Sequence, residues 1–143
     1  MKRQALSLIS LLSLLSLLLV AGSAVAQSLN VRANVPFSFS VDNKTLPAGT
    51  YAIRRAGFGD DKMLILQRRE GGGSMIMGTN AAETLKPADQ TKLVFHKYGT
   101  QYFLSEIWVE GNQRGNCLPK SAHEKELART ITPESLEIVA NVH

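Results

Sequence analysis

The residues of this chain with the most chemistry to offer are three histidines, one cysteine and a few paired charges. His96, His123 and His143 are the only histidines. A metal site needs several ligands converging on one point. His96 falls in mid-strand, His123 in the first turn of a predicted helix, and His143 is the last residue. No pair of them has ligand spacing. A cross-strand arrangement of His96 with Glu106 or Tyr98 is the one histidine site the pattern allows, and a half-buried strand histidine is the simpler expectation. Cys117 is the only cysteine, so no internal disulfide forms. Its choices are an intermolecular disulfide, a reactive thiol, or plain packing as a small apolar side chain. Packing is expected, as for most free cysteines.

Other motifs fall short of a known chemistry. No serine sits in the Gly-x-Ser-x-Gly elbow that exposes a nucleophile. Gly71-Gly72-Gly73 lacks the Gly-Lys-Ser/Thr of a phosphate loop. Asp60-Asp61 lacks the regularly spaced oxygen ligands of a calcium loop and reads as a polar turn. Arg54-Arg55 and Arg68-Arg69 are adjacent pairs on strands, so their side chains diverge to opposite faces. They make no basic stripe with aromatics, and nucleic acid is not an expected partner. Met63, Met75 and Met77 read as core filler. The sequence therefore predicts no catalytic, cofactor-binding or metal-binding residue, no cofactor, and no enzyme.

The start of the chain is an address. Lys2 and Arg3 precede an uncharged, Leu- and Ser-rich stretch that ends in Ala24-Val25-Ala26. A basic start, an apolar middle and a small-x-small end mark a cleavable signal peptide, here residues 1–26. Removing 26 residues from 143 leaves 117, one domain by length. Lys2 and Arg3 leave with the signal, so the net charge of +4 falls to +2. The expected location is secreted, periplasmic or cell-surface, with no membrane span after cleavage.

The elements that would position any site are mostly strands. Val31, Ala33, Val35, Phe37, Phe39 and Val41 alternate with polar residues, as in one strand with a face on a core. Pro36 has no amide donor and argues for an edge or a bulge. Thr45 to Thr50 contains Pro47 and Gly49 and should reverse the chain. Strands follow at Tyr51–Arg55, Lys62–Arg68 and Ser74–Thr79, and residues 80–90 read as irregular. Lys92 to Val109 is the strongest hairpin, turning at Gly99-Thr100 in a two-residue loop. In that register His96 faces Phe103, and Phe95 faces Leu104. Leu93, Phe95, Tyr102, Leu104 and Trp108 share one face. Val94, Tyr98, Phe103, Ile107 and Val109 share the other. Both faces are apolar, so the second needs a cover.

The predicted cover is a helix from Ala122 to about Thr130. Ser121 and Glu124 have capping-box spacing, and Leu127, Ala128 and Ile131 are the expected contacts. Leu136 to Val142 alternates as a last strand. About seven strands and one short helix make a small antiparallel sandwich or partly open barrel. Phe37, Phe39, Phe95 and Trp108 are its expected buried aromatics.

Three segments together resemble a group of small, uncharacterised exported proteins that occur as many paralogues in soil bacteria. They are Val35-Pro36-Phe37 with Leu46-Pro47-Ala48-Gly49-Thr50-Tyr51; Phe95-His96-Lys97-Tyr98-Gly99 with Tyr102-Phe103-Leu104-Ser105-Glu106-Ile107-Trp108; and Leu118-Pro119-Lys120-Ser121 with Glu124-Lys125-Glu126-Leu127-Ala128. The resemblance implies the exported compartment and the β fold, and implies no activity. Two functions follow as expectations. The first is a structural or protein-interaction domain whose partner is another envelope protein. The alternative is a β domain that binds a small apolar ligand.

Overall fold

Alternating apolar residues build twelve short strands and one helix among the described residues, in two sheets that face each other. The computed structural model describes residues 28–143 apart from Phe58 and Asp60. The predicted signal peptide lies outside the described residues. Strands β1 (Asn30–Val35), β4 (Gly49–Arg55), β5 (Met63–Arg68), β6 (Ser74–Gly78) and β12 (Asn141–Val142) form the first sheet, in the order β12-β1-β4-β5-β6. The second sheet has the path β11-β8-β9-β10-β7. Its strands are β7 (Asn80–Glu83), β8 (Lys92–Tyr98), β9 (Gln101–Trp108), β10 (Arg114–Cys117) and β11 (Glu134–Val139). The small hairpin of β2 (Phe39–Val41) and β3 (Lys44–Leu46) attaches to β9. The expected mainly β sandwich is the observed architecture. Every strand pairing is antiparallel except a single parallel contact of β2 with β9.

The strand count exceeds the predicted seven because the chain repeatedly changes sheets. Val31 to Val41 is not one strand. It breaks at Pro36, where the missing amide ends β1's ladder, and β2 continues in the opposite sheet. Pro36 thus marks neither an edge nor a bulge but a crossing. The alternation survives the break: Val31, Ala33, Val35, Phe39 and Val41 are all buried, and Phe37 is half-buried. Residues 80–83, read as irregular, form β7 against β10. The C-terminal run crosses sheets at buried Ala140, pairing with β8 before it and β1 after it.

The Leu46–Tyr51 segment has a physical rationale. Tyr51 is buried, and its hydroxyl donates back to the Pro47 carbonyl oxygen at 2.6 Å. The Glu70 carboxylate accepts from the Thr50 amide at 2.9 Å, and Arg68 Nη2 donates to the Ala48 carbonyl oxygen at 3.3 Å. The turn is clamped to the end of β5 from both sides.

The β8–β9 hairpin forms in the predicted register at its tip, with His96 opposite Phe103 and Phe95 opposite Leu104. Gly99 has φ +61°, the conformation that a primed turn demands of its first residue. Beyond Leu104 a β-bulge intervenes. Val94 pairs with Glu106, so Ser105 is the extra residue. One inserted residue exchanges the faces of everything after it. Ile107 therefore joins Leu93, Phe95 and Leu104 in the core, and Trp108 moves to the second face with Val94, reversing the predicted placement of both. Phe39, Phe95 and Trp108 are buried as expected, while Phe37 stays half-exposed, stacked on Tyr102 at 4.0 Å.

Candidate functional site

The second face of the β8–β9 hairpin gathers the described residues with the most chemistry. Helix α1 (Ala122–Ala128) lies over its Tyr98–Phe103 end. Ser121 caps the helix as predicted, its Oγ accepting from the Glu124 amide at 3.2 Å. Glu124 does not reach back to complete a capping box. Its side chain turns into the sheet and is the buried residue of the helix, at 4% exposure. The predicted apolar contacts are weaker: Leu127 and Ala128 are half-buried, and Ile131 is exposed.

A buried carboxylate must be given partners, because its transfer from water costs heavily otherwise. Glu124 Oε1 has two. The Tyr98 hydroxyl donates to it at 3.1 Å, and His96 Nδ1 lies 3.0 Å away. A carboxylate acceptor holds the imidazole proton on Nδ1. With that proton on Nδ1, Nε2 is the nitrogen left to meet the Ser105 hydroxyl, at 3.3 Å. Ser105 follows core-facing Leu104, so ordinary strand alternation places it on this face with Phe103, within reach of His96. Burial, and then the charge and hydrogen bond of Glu124, push the Tyr98 phenol up to about 12.

His96 and Tyr98 therefore share Glu124 as a partner, and their rings also stand edge to face with centroids 6.4 Å apart. Glu106, the other partner considered for His96, is engaged elsewhere: Trp108 Nε1 donates to its Oε2 at 2.7 Å. Trp108 lies against β10 at Gly115, where a Cβ would come within 2.7 Å of the indole. His123 Nε2 lies 2.7 Å from Gln101 Oε1, and its ring lies over Phe103. The amide of His143 donates to the Asn30 carbonyl oxygen at the far end of the other sheet. The three histidines share no centre, and no group of three or more metal-ligating side chains converges among the described residues.

Contacts in the order Ser105–His96–Glu124 are those of a hydrolytic triad. Ser105 is 6% exposed under the helix, however, so no substrate carbonyl reaches its Oγ in this conformation. The network's evident work is to dock α1. Cys117 is half-buried, with its Sγ directed at the Leu118 carbonyl oxygen at 3.7 Å. Burial, with the carboxylates of Glu106 and Glu124 nearby, raises its thiol pKa and keeps it un-ionised. A neutral thiol is a poor nucleophile.

The remaining candidates are dispersed. Arg55 pairs with Asp61 at 3.0 Å, and Arg68 with Glu70 at 3.6 Å, at opposite ends of the β4–β5 hairpin. An open cleft of about 640 Å³ runs beside Arg55, Glu83, Arg114 and Asn116. Two ion pairs lie in it, Arg55 with Asp61 and Arg114 with Glu83 at 3.1 Å. Met77 is buried and Met75 half-buried, but Met63 points outward, not into the core.

Compared with known proteins, the chain matches no family model, no curated relative and no solved structure.

What reading the residues missed was the buried role of Glu124. The clue was available: the helix has only Leu127 and Ala128 for an apolar stripe, and a polar residue one turn earlier faces the same way.

Proposed function

We propose that this chain is an exported, non-enzymatic domain that works by protein–protein contact in the periplasm or at the cell surface. The observation that carries this reading is strand β6. It ends the first sheet, bears no charged residue, and presents Ile76 at 61% exposure. Uncharged, flat edge strands invite pairing with another chain, and proteins that avoid such pairing guard them with Lys, Pro or bulges. Two further observations support the reading. The polar cluster of His96, Tyr98, Ser105 and Glu124 is used internally, to hold a helix. The space between the sheets, where a small apolar ligand would sit, is filled by Val31, Val35, Phe39, Ile53, Leu64 and Phe95, each 1% exposed or less.

The test is photocrosslinking in cells that make the whole chain. A photoreactive phenylalanine analogue is placed at position 76, or at exposed Lys125 on the helix as a control. Protein adducts are expected at 76 and not at 125. No adduct at 76, or equal adducts at both positions, would overturn the reading.

A further inference from the structure

We infer that the partner of β6 is β6 of a second copy of this chain, paired antiparallel across a two-fold axis at Ile76. The inference rests on the interaction reading above and names its partner.

The first ground is the direction of the backbone groups. The Thr79 amide donates to the Lys62 carbonyl oxygen at 2.7 Å, so that pair is hydrogen-bonded across β5 and β6. Bonded and non-bonded pairs alternate along an antiparallel ladder. With Leu64 opposite Met77 and Leu66 opposite Met75, these are the next bonded pairs. Met75 and Met77 therefore spend their backbone groups on β5. The N–H and C=O groups of Ser74, Ile76 and Gly78 point the other way, at the open edge.

The second ground is the sequence of the strand. Ser74-Met75-Ile76-Met77-Gly78 reads almost the same in both directions. In an antiparallel pair centred on Ile76, Ile76 meets Ile76 of the second copy, each Met75 meets a Met77, and each Ser74 meets a Gly78. All three outward residues then fall in hydrogen-bonded positions. Such a ladder closes about six backbone hydrogen bonds. A shift of two residues in either direction leaves outward groups unpaired.

The third ground is the side-chain rows. Ile65 lies opposite Ile76 on the outer face of the sheet. Pairing would extend this into one row of four isoleucines, two from each copy. On the inner face, half-buried Met75 would be covered by the second copy's Met77. Ser74 and Gly78 are small and meet without crowding. The contact is self-complementary, as a closed two-fold dimer requires. It turns two five-stranded sheets into one continuous ten-stranded sheet.

The test uses protein purified from cells that make the whole chain, with sedimentation measured over a range of concentrations. A monomer–dimer equilibrium is expected. Ile76→Lys opposes two ammonium groups at the axis and should raise the dimer dissociation constant about tenfold or more. Ile76 is exposed, so an unchanged thermal midpoint at dilutions where both proteins are monomeric separates lost pairing from lost folding. A second measurement fixes the register. In a Cys117→Ser background, Ile76→Cys should form a dimer disulfide when oxidised with diamide, because Cα atoms in such a pair stand about 5.5 Å apart. Ser74→Cys should not, since each would face Gly78. A wild type that stays monomeric, a dimer indifferent to Ile76→Lys, or equal cross-linking by both cysteine variants would overturn the inference. If the adduct at position 76 has a mass other than two chains, self-pairing fails while the interaction reading stands. If no adduct forms there, both fail.

Discussion

Two regions of this protein reverse the usual distribution of polar and apolar groups. Under helix α1, a carboxylate, two hydroxyls and part of an imidazole are inside. Along β6, an isoleucine and a row of unpaired backbone groups are outside. The difference lies in what satisfies them. Glu124 has the Tyr98 hydroxyl and His96, and His96 has Ser105, so each buried polar group of the cluster finds its partner within the chain. Ser74, Ile76 and Gly78 face an edge that ends the sheet. Satisfied polar groups inside fix a structure. Unsatisfied groups outside call for a partner. One end strand of the other sheet, β11, sharpens the contrast. β11 carries Glu134 and Glu137, which pair with Lys97 at 3.5 Å and Lys92 at 2.9 Å.

The contrast predicts opposite responses to substitution. Phe95, fully buried where the sheets meet, sets the scale: Phe95→Ala should lower the unfolding free energy by about 3–5 kcal/mol in denaturant titration. A loss below about 1 kcal/mol would move Phe95 to the surface. Glu124→Ala comes next. It strips Tyr98 and His96 of their acceptor, which should cost roughly 1–3 kcal/mol. It should leave self-association of the folded protein unchanged. A Glu124 variant as stable as the parent would mean that the cluster does not hold the helix.

The same cluster should show in alkaline titration. Tyr98 is raised from 10.0 to about 12 by burial and by Glu124, so the folded protein favours the neutral phenol more than the unfolded chain does. The stabilisation is complete below pH 10 and is lost as pH rises through about 12. Ultraviolet absorbance should show a late tyrosinate step that Tyr98→Phe removes. A titration without that late step would separate Tyr98 from Glu124. The smallest effect belongs to the open edge. Ile76→Ser should change folding stability by less than about 0.5 kcal/mol, as an exposed position does, while weakening self-association. A stability loss comparable to that of Glu124→Ala would show Ile76 serving its own chain.

Much of this architecture is readable from local pattern. Period-two alternation marks the inward face from Val31 to Val41 even though the strand breaks, because the chain crosses between two facing sheets and the same set of residues stays turned to the core on both sides of the break. The Gly99-Thr100 turn sets the hairpin register at its tip. The bulge at Ser105 has no such mark. The faces of Ile107 and Trp108 depend on it, and it is stabilised by distant contacts: Leu118 bonds to the Ser105 carbonyl oxygen, and His96 meets the hydroxyl. The polar cluster is hidden for the same reason. Its members come from two strands and a helix, and Glu124 alone suggests a cap. In β6 the palindrome is visible in the sequence, but only the hydrogen-bond parity of the sheet shows which of its residues face outward.

Amide hydrogen exchange along β6, read residue by residue, tests the central claim most directly. Met75 and Met77 donate to β5 and should exchange slowly at every concentration. Ser74, Ile76 and Gly78 should exchange quickly in dilute protein and become protected as concentration rises through the dimerisation range. Fast exchange of Ser74, Ile76 and Gly78 at all concentrations would leave β6 an unpaired edge and contradict the account.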